Sequence, residues 1–385
     1  MISSLSKAIE CIGKFGSQSN YMKKTFVLLL SYCLVFLSCS KTEKVDSKQA
    51  VIDNDSSSSK TIVLAGIEEL NGASRILKCG DKYFWYATGP RIKMRWTSSP
   101  KSGTWSVGAN VFSTQPGWWA DYSPTNSAWA PDVVYDPASA EYRMYYCLSS
   151  LGSNTSAIGL AVNKTLDPNA TNYNWVDKGI VISTHEEIDN FNALDPCPVQ
   201  TSAGAWFLCF GSHLGGVKLI RLGPDGKRHP DYSTIWNLAR KENTTQNACE
   251  AGSIYPGTKN GEVGFWLFVN WGTGTANGEN STYQVKMGWS TDVRGPYLDK
   301  DGINMYNGGG TLFMANQETF SKDGSTRIGR GHVGIIKGEM LDGSYPDWVS
   351  YNYWLHNPPT SDGKRFGLQR LETDSDGWPK AGTVF

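Results

Sequence analysis

The chain has 385 residues, with 36 Lys and Arg against 36 Asp and Glu, so its formal net charge is zero. That balance argues against a nucleic-acid binder, which needs a basic face; a charged fraction of 19%, 41 glycines and 12% aromatics disfavour a coiled coil or a disordered chain and suit strands joined by tight turns. All 15 tryptophans lie at or beyond Trp85, so the first 80 residues are compositionally a different object from the body.

Met22-Lys23-Lys24 opens a charged start, and Phe26 to Leu37 is an apolar run that ends at Ser38-Cys39. A basic start, a short apolar core and a small residue before the break describe a secretory signal. A Cys directly after that small residue resembles the bacterial lipobox, in which Cys39 is lipidated and becomes the first residue. An ordinary cleaved signal with an incidental Cys is the alternative. The run falls short of the ~20 apolar residues of a transmembrane helix. Residues 1–21 carry no targeting logic and read as a start codon assigned too early. From Ser40 the chain is polar and rich in Ser and Lys, a flexible tether over 40–61. The expected organisation is a signal with lipobox over 1–39, that tether, and one domain over 62–385. The expected place is the bacterial envelope, periplasmic or at the surface, with the lipid as the only membrane contact and the protein a monomer.

Five cysteines remain in the body: Cys79, Cys147, Cys197, Cys209 and Cys249. The number is odd and no CxxC spacing occurs, so neither a zinc site nor a full disulfide framework is indicated. Most sit in apolar strand-like runs, as buried free thiols do; one disulfide stays open.

Beyond the tether, three kinds of segment recur in one order. The first runs from a polar or acidic residue into a strand: Gly72-Ala-Ser-Arg-Ile, Pro131-Asp132-Val-Val-Tyr, Asp195-Pro-Cys-Pro-Val, Glu250-Ala-Gly-Ser-Ile and His332-Val-Gly-Ile-Ile. The second is aromatic, as in Lys82 to Tyr86, Glu141 to Tyr146, Ala205 to Phe210, Gly264 to Val269 and Asp347 to Trp354. The third alternates: Ile92 to Thr97, Ala157 to Val162, Gly216 to Leu222, Tyr283 to Trp289 and Phe366 to Leu371. The repeat is about 60 residues, stretched near 270–330. A unit of a few short strands cannot bury its own faces, so such units stack around an axis. Five of them predict an all-β, five-bladed β-propeller of four-stranded blades. A pair of β-sandwiches explains the strands but not their repeated order. No long segment shows a capped 3.6-residue apolar period, so helices are expected to be few.

In a propeller the innermost strands line the central channel. The starts of the first segments, at Gly72, Asp132, Asp195, Glu250 and His332, are therefore expected to converge at one mouth. Acids and a histidine meeting in one polar funnel are costly to bury without a role.

The run Trp129-Ala-Pro-Asp132-Val, then Tyr145-Tyr146, Gly152-Ser153-Asn154 and Ala157 to Ala161, resembles glycoside hydrolase family 43. So do Asn192-Ala-Leu-Asp195-Pro with Gly211-Ser212, Glu250 opening its strand, Ser281-Thr-Tyr283, Gly295 to Lys300, Gly308 to Gly310, Gly331-His332 and Asp374 to Pro379. The resemblance covers residues 62 to 385 in order and is nearest to the endo-arabinanase branch. It implies a five-bladed propeller that hydrolyses arabinose- or xylose-containing glycans with inversion. Inversion needs an acid for the leaving oxygen and a carboxylate to activate water, about 6.5–9.5 Å apart. The resemblance implies Glu250 as the acid, and Asp195 as the residue that orients it and keeps its pKa raised, because two close carboxylates resist both ionising. It implies substrate contacts at Trp129, Asp132, Ser153 and Ser212. His332 matches the family histidine near the axis, beside a calcium ion or an ordered water; a hydrogen-bonded channel His with no metal stays open.

The family places its general base in His-Asp-Pro-Ser at the start of the first blade. Here that run is Asn71-Gly72-Ala73-Ser74, so the base position is Gly72, which has no side chain. General-base help is worth about 10²–10⁴-fold. Either Glu68, Glu69 or Asp121 supplies a substitute, or the protein binds glycan without turnover, or an unusual substrate assists its own cleavage. A purely structural surface propeller is the third class. Asn270-Trp271, Gly288-Trp289-Ser290 and Leu151 also depart from the arabinanase branch. Most tryptophans read as blade packing; Trp118, Trp119 and Trp271, set among turn residues, are the candidates for stacking on sugar.

Overall fold

The computed structural model describes residues 72, 75–100, 104–241, 248–274, 278–320, 324–338, 347–356 and 364–384. The signal, Cys39 and the tether lie outside them. Five antiparallel sheets follow one another along the chain. Blade 1 holds Leu77–Cys79, Lys82–Ala87, Lys93–Thr97 and Ser106–Val107. Blade 2 holds Ser127–Asp136, Glu141–Ser149, Ser156–Asn163 and Val176–Thr184, with Gly89–Pro90 added beside its first strand. Blade 3 holds Cys197–Gln200, Trp206–Phe210, Val217–Arg221 and Trp236–Ala239. Blade 4 holds Cys249–Lys259, Glu262–Trp271, Gln284–Ser290 and Thr311–Met314. Blade 5 holds Thr326–Ile336, Trp348–Leu355, Arg365–Thr373 and Pro379–Val384, with Gln317–Thr319 beside its first strand. The molecule is a five-bladed β-propeller, and its described helices are short 3₁₀ turns such as Gly117–Asp121.

The aromatic segments are the second strands, and their composition follows from their place. Successive residues of a strand point to opposite faces, and here a neighbouring blade covers each face. In blade 1, Phe84 and Tyr86 enter a core shared with blade 2, while Trp85 enters the core shared with blade 5. In blade 3, Leu208 packs toward blade 2 and Phe207 and Cys209 toward blade 4. In blade 4, Leu267 faces blade 3 and Phe268 faces blade 5. Each of the five apolar cores thus fills one gap between blades. The five body cysteines are free thiols, and Cys147, Cys197, Cys209 and Cys249 are buried.

Among the described residues, blades 1 and 5 share no strand, so packing closes the ring. Trp85 stacks on Phe366 with ring centroids 5.1 Å apart, and Trp105 meets Trp85 edge-on at 5.9 Å. Trp85→Ala is expected to cost about 3–5 kcal/mol, read as a lowered urea midpoint with an unchanged m-value. A loss below 1 kcal/mol would show that this contact does not close the ring.

Candidate active site

The first strand of every blade enters from the axis through the same local turn. Gly72, Ala130, Asp195, Ala251 and His332 all sit at left-handed φ, at 52°, 42°, 53°, 49° and 55°. Four of the five carry a side chain, so the turn tolerates Cβ despite its usual cost of about 1–2 kcal/mol. The pairing register shifts beside it, between Trp129 and Asp132, between Glu250 and Ser253, and between Gly331 and Gly334. The equivalent positions are therefore Ala130 and Ala251, not Asp132 and Glu250. Glu250 stands one residue before the turn and still reaches the axis. Asp132 lies two residues past it and points elsewhere.

Asp132 faces Arg75. The guanidinium Nη2 lies 2.5 Å from Asp132 Oδ2, and Nε lies 3.0 and 3.1 Å from the two carboxylate oxygens. Nη2 also donates to the Pro198 carbonyl at 3.2 Å, which ties blade 1 to blade 3. The expected substrate contact at Asp132 is thus an internal ion pair beside a second, small cavity.

Above it opens a cavity of about 950 Å³. Gly72, Trp129, Ser153, Asp195, Ser212, Glu250 and His332 line it, and so do Thr88, His213, Tyr283, Trp354 and Lys364. Trp118, Trp119 and Trp271 do not. The Trp118 ring stacks on Tyr146 and its indole N–H donates to Asp177 at 3.0 Å. Trp119 is fully buried, with its N–H 3.3 Å from the Tyr146 hydroxyl. Trp271 packs at the edge of the core between blades 3 and 4 under the Lys286 ammonium. Turn residues around a tryptophan mark a loop, but loops between blades also fold inward. Trp354, which ends an aromatic strand, gave no separate sequence signal.

Glu250 is gripped by donors. His213 Nε2 lies 2.9 Å and Ser212 Oγ 3.0 Å from its Oε2, and the Tyr283 hydroxyl also bonds the carboxylate. Burial pushes this carboxyl up, but the hydrogen bond and charge of His213, with those hydroxyls, outweigh it and hold Glu250 below its ordinary value. Asp195 goes the other way, pushed up to about 8 by burial and by the Glu250 charge. Two adjacent buried carboxyls share one proton. Of the two, Asp195 is pushed toward its neutral form and Glu250 is held toward its ionised form against His213. The resemblance implies a raised Glu250; here the contact with His213 holds it lower. The hydrogen bond to Glu250 raises His213 above its ordinary value, against the effect of burial.

Asn270, noted above only as a departure, is fully buried and joins blades 4 and 5. Its amide donates to the Ala251 carbonyl at 3.2 Å and accepts the His332 backbone N–H at 2.9 Å. Burial pushes the His332 ring down to about 4, so it is neutral at neutral pH. Calcium takes about six to eight oxygens, and among the described residues no three His, Cys, Asp or Glu side chains come close enough to hold a metal. No step below runs through an ion.

The carboxylates among the described lining residues are Asp195, Glu250, Glu186 and Asp189. Glu186 and Asp189 belong to the loop before blade 3, where Ser153 Oγ lies 3.4 Å from Glu186 Oε2 and the His185 N–H donates to Asp189 at 2.9 Å. Asp121 is exposed on a 3₁₀ turn and does not line the cavity. Glu68 and Glu69 lie outside the described residues. At Gly72 an added Cβ would meet Ala130 Cα at 3.0 Å and Thr88 Oγ1 at 3.1 Å.

A paired Asp and Glu at the axis of a five-bladed propeller can be set against known proteins. The family model for glycosyl hydrolases family 43 matches residues 67–379. The chain belongs to glycosyl hydrolase family 43. It is 33% identical over 311 residues to the extracellular exo-alpha-(1->5)-L-arabinofuranosidase of Cellvibrio japonicus, covering 78% of this chain and 83% of that protein. It is 32% identical over 255 residues to the extracellular endo-alpha-(1->5)-L-arabinanase 1 of Bacillus subtilis, covering 65% and 74%. Among solved structures, the Cellvibrio cellulosa alpha-L-arabinanase complexed with arabinohexaose matches with a TM-score of 0.71 and 29% identity, over 81% of this chain and 95% of that one. Within this family the chain is a glycoside hydrolase-like protein with arabinanase relatives of both exo and endo type.

Proposed function

We propose that the protein hydrolyses α-1,5-linked arabinan outside the cytoplasm, with inversion, tethered to the bacterial envelope through a lipid on Cys39. The observation that carries the reading is Glu250, gripped by Ser212, His213 and Tyr283 and set beside Asp195 in a cavity large enough for several sugar rings. Glu250 protonates the bridging oxygen, and Asp195 orients it. Trp129 and Trp354 offer apolar ring faces to the C–H faces of the sugar. Water attacks from the opposite side, toward Gly72, with weak assistance. The test is release of reducing ends from linear α-1,5-arabinan, with arabinoxylan as the comparison polymer and the product anomer followed by NMR.

Gly72 favours a second reading, a surface protein that binds arabino-oligosaccharide and leaves it intact. Binding by calorimetry with no reducing ends released at any pH would select it over the hydrolase. No binding at all would leave a structural propeller.

A further inference from the structure

His213 follows Ser212 on the turn between the second and third strands of blade 3, and it belongs to no motif in the chain. Its ring lines the cavity, its side chain is 43% exposed, and its Nε2 makes the 2.9 Å contact with Glu250 Oε2. Ser212 donates to that same oxygen. A neutral hydroxyl would have been enough to fix the carboxylate, and a second, titratable donor on one oxygen does more than fix it. We propose that His213 is a positioning residue that shares its proton with Glu250 and supplies the proton the acid delivers to the leaving sugar. The proposal rests on the hydrolase reading and deepens it.

The proton balance is closed. Before reaction an imidazolium faces a carboxylate. A sugar ring that fills the cavity displaces water, and separated charges lose solvation there, which favours the neutral pair. The proton then moves from Nε2 to Oε2. Glu250 passes it to the bridging oxygen as the glycosidic bond breaks and the oxygen of a water bonds to the anomeric carbon. The surplus proton of that water leaves to solvent. The half-exposed imidazole takes one back, and the pair returns to its starting state. The titratable and charged groups that line the cavity with His213 are Glu250 and Asp195 from the inner strands, Glu186 and Asp189 from the loop before blade 3, and Tyr283, His332 and Lys364. The hydrogen bond and charge of Glu250 raise the proton affinity of His213 against the effect of burial, so it stays charged past its ordinary 6.5 and discharges as pH rises further.

Two measurements test this. In the first, the His213 ring is titrated by NMR, with its signal assigned by its loss in His213→Phe. The midpoint is expected above 6.5 in the wild type and lower in Glu250→Gln. An unmoved midpoint overturns the proposal whether or not the protein turns over sugar. In the second, kcat on linear arabinan is followed against pH. His213→Gln keeps an N–H donor near the Nε2 position but cannot titrate. It is expected to hold KM, to lower kcat about tenfold to a hundredfold, toward the lower end of general-acid help, and to lose the inflection above pH 6.5. A His213→Gln profile that superimposes on the wild type overturns the proton supply. A shifted midpoint in a wild type that releases no sugar overturns the hydrolase reading instead, and with it the delivery step, while the pairing stands.

Discussion

Gly72→Asp is expected to raise arabinan turnover by about 10²–10⁴-fold, the usual worth of a general base. That is about 3–5 kcal/mol of barrier. The backbone argues that the side chain can be accommodated. Gly72 has φ 52°, and Ala130, Asp195, Ala251 and His332 hold side chains at φ 42–55° in the same turn of the other blades. The turn has therefore already accepted an Asp, at Asp195. Crowding is the obstacle, because the new Cβ would press on Ala130 at 3.0 Å and Thr88 at 3.1 Å. A few tenths of an ångström of movement relieves it. The left-handed φ adds about 1–2 kcal/mol of strain, so the variant should melt somewhat lower than the wild type while turning over faster. Gly72→Ala separates the two effects: it should share the lower melting temperature and show no gain. A folded Gly72→Asp protein with wild-type turnover would show that the missing carboxylate is not what limits this site.

The repeat of strand kinds was legible because each blade solves one problem five times. Its second strand must be apolar on both faces, and that leaves runs such as Trp206–Phe210 with no polar residue. The fourth strands were not legible. Ser106–Val107 is two exposed residues, and Trp236–Ala239 is four, half of them buried. An outer strand has one neighbour to pair with and little surface to bury, so its composition is free. The dyad was legible through family motifs, and Gly72 through their absence. His213 was not, because its role is defined by a partner 37 residues further along, which a local pattern does not reveal. Asp132 was misread for a related reason. The turn that meets the axis is set at Ala130, two residues before Asp132, so Asp132 enters the strand beyond it and pairs with Arg75. Trp118 and Trp119 failed because flanking glycine and proline describe the backbone, not the direction of the ring.

Glu250→Gln is expected to lower arabinan turnover by about 10²–10⁴-fold while binding of arabino-oligosaccharide persists. The amide keeps the shape of the carboxyl, and its oxygen still accepts from Ser212 and His213, so the cavity stays assembled. What disappears is the proton. A leaving sugar hydroxyl is a poor leaving group and needs that proton, whereas a nitrophenolate hardly does. The loss should therefore be large on arabinan and small on a nitrophenyl arabinofuranoside, a contrast that a merely misfolded variant would not produce. The substitution also removes the charge that, after burial, does most to push Asp195 up to about 8. Asp195 should then ionise at lower pH, which a carboxyl NMR titration reads directly. With no carboxylate at Gly72 wild-type turnover is expected to be low, so the kinetic contrast is cleanest in the Gly72→Asp background, where acid and base are both present to be lost. If Glu250→Gln there leaves arabinan cleavage unchanged, the acid lies elsewhere. Asp195, pushed up beside it, is then the group to replace next.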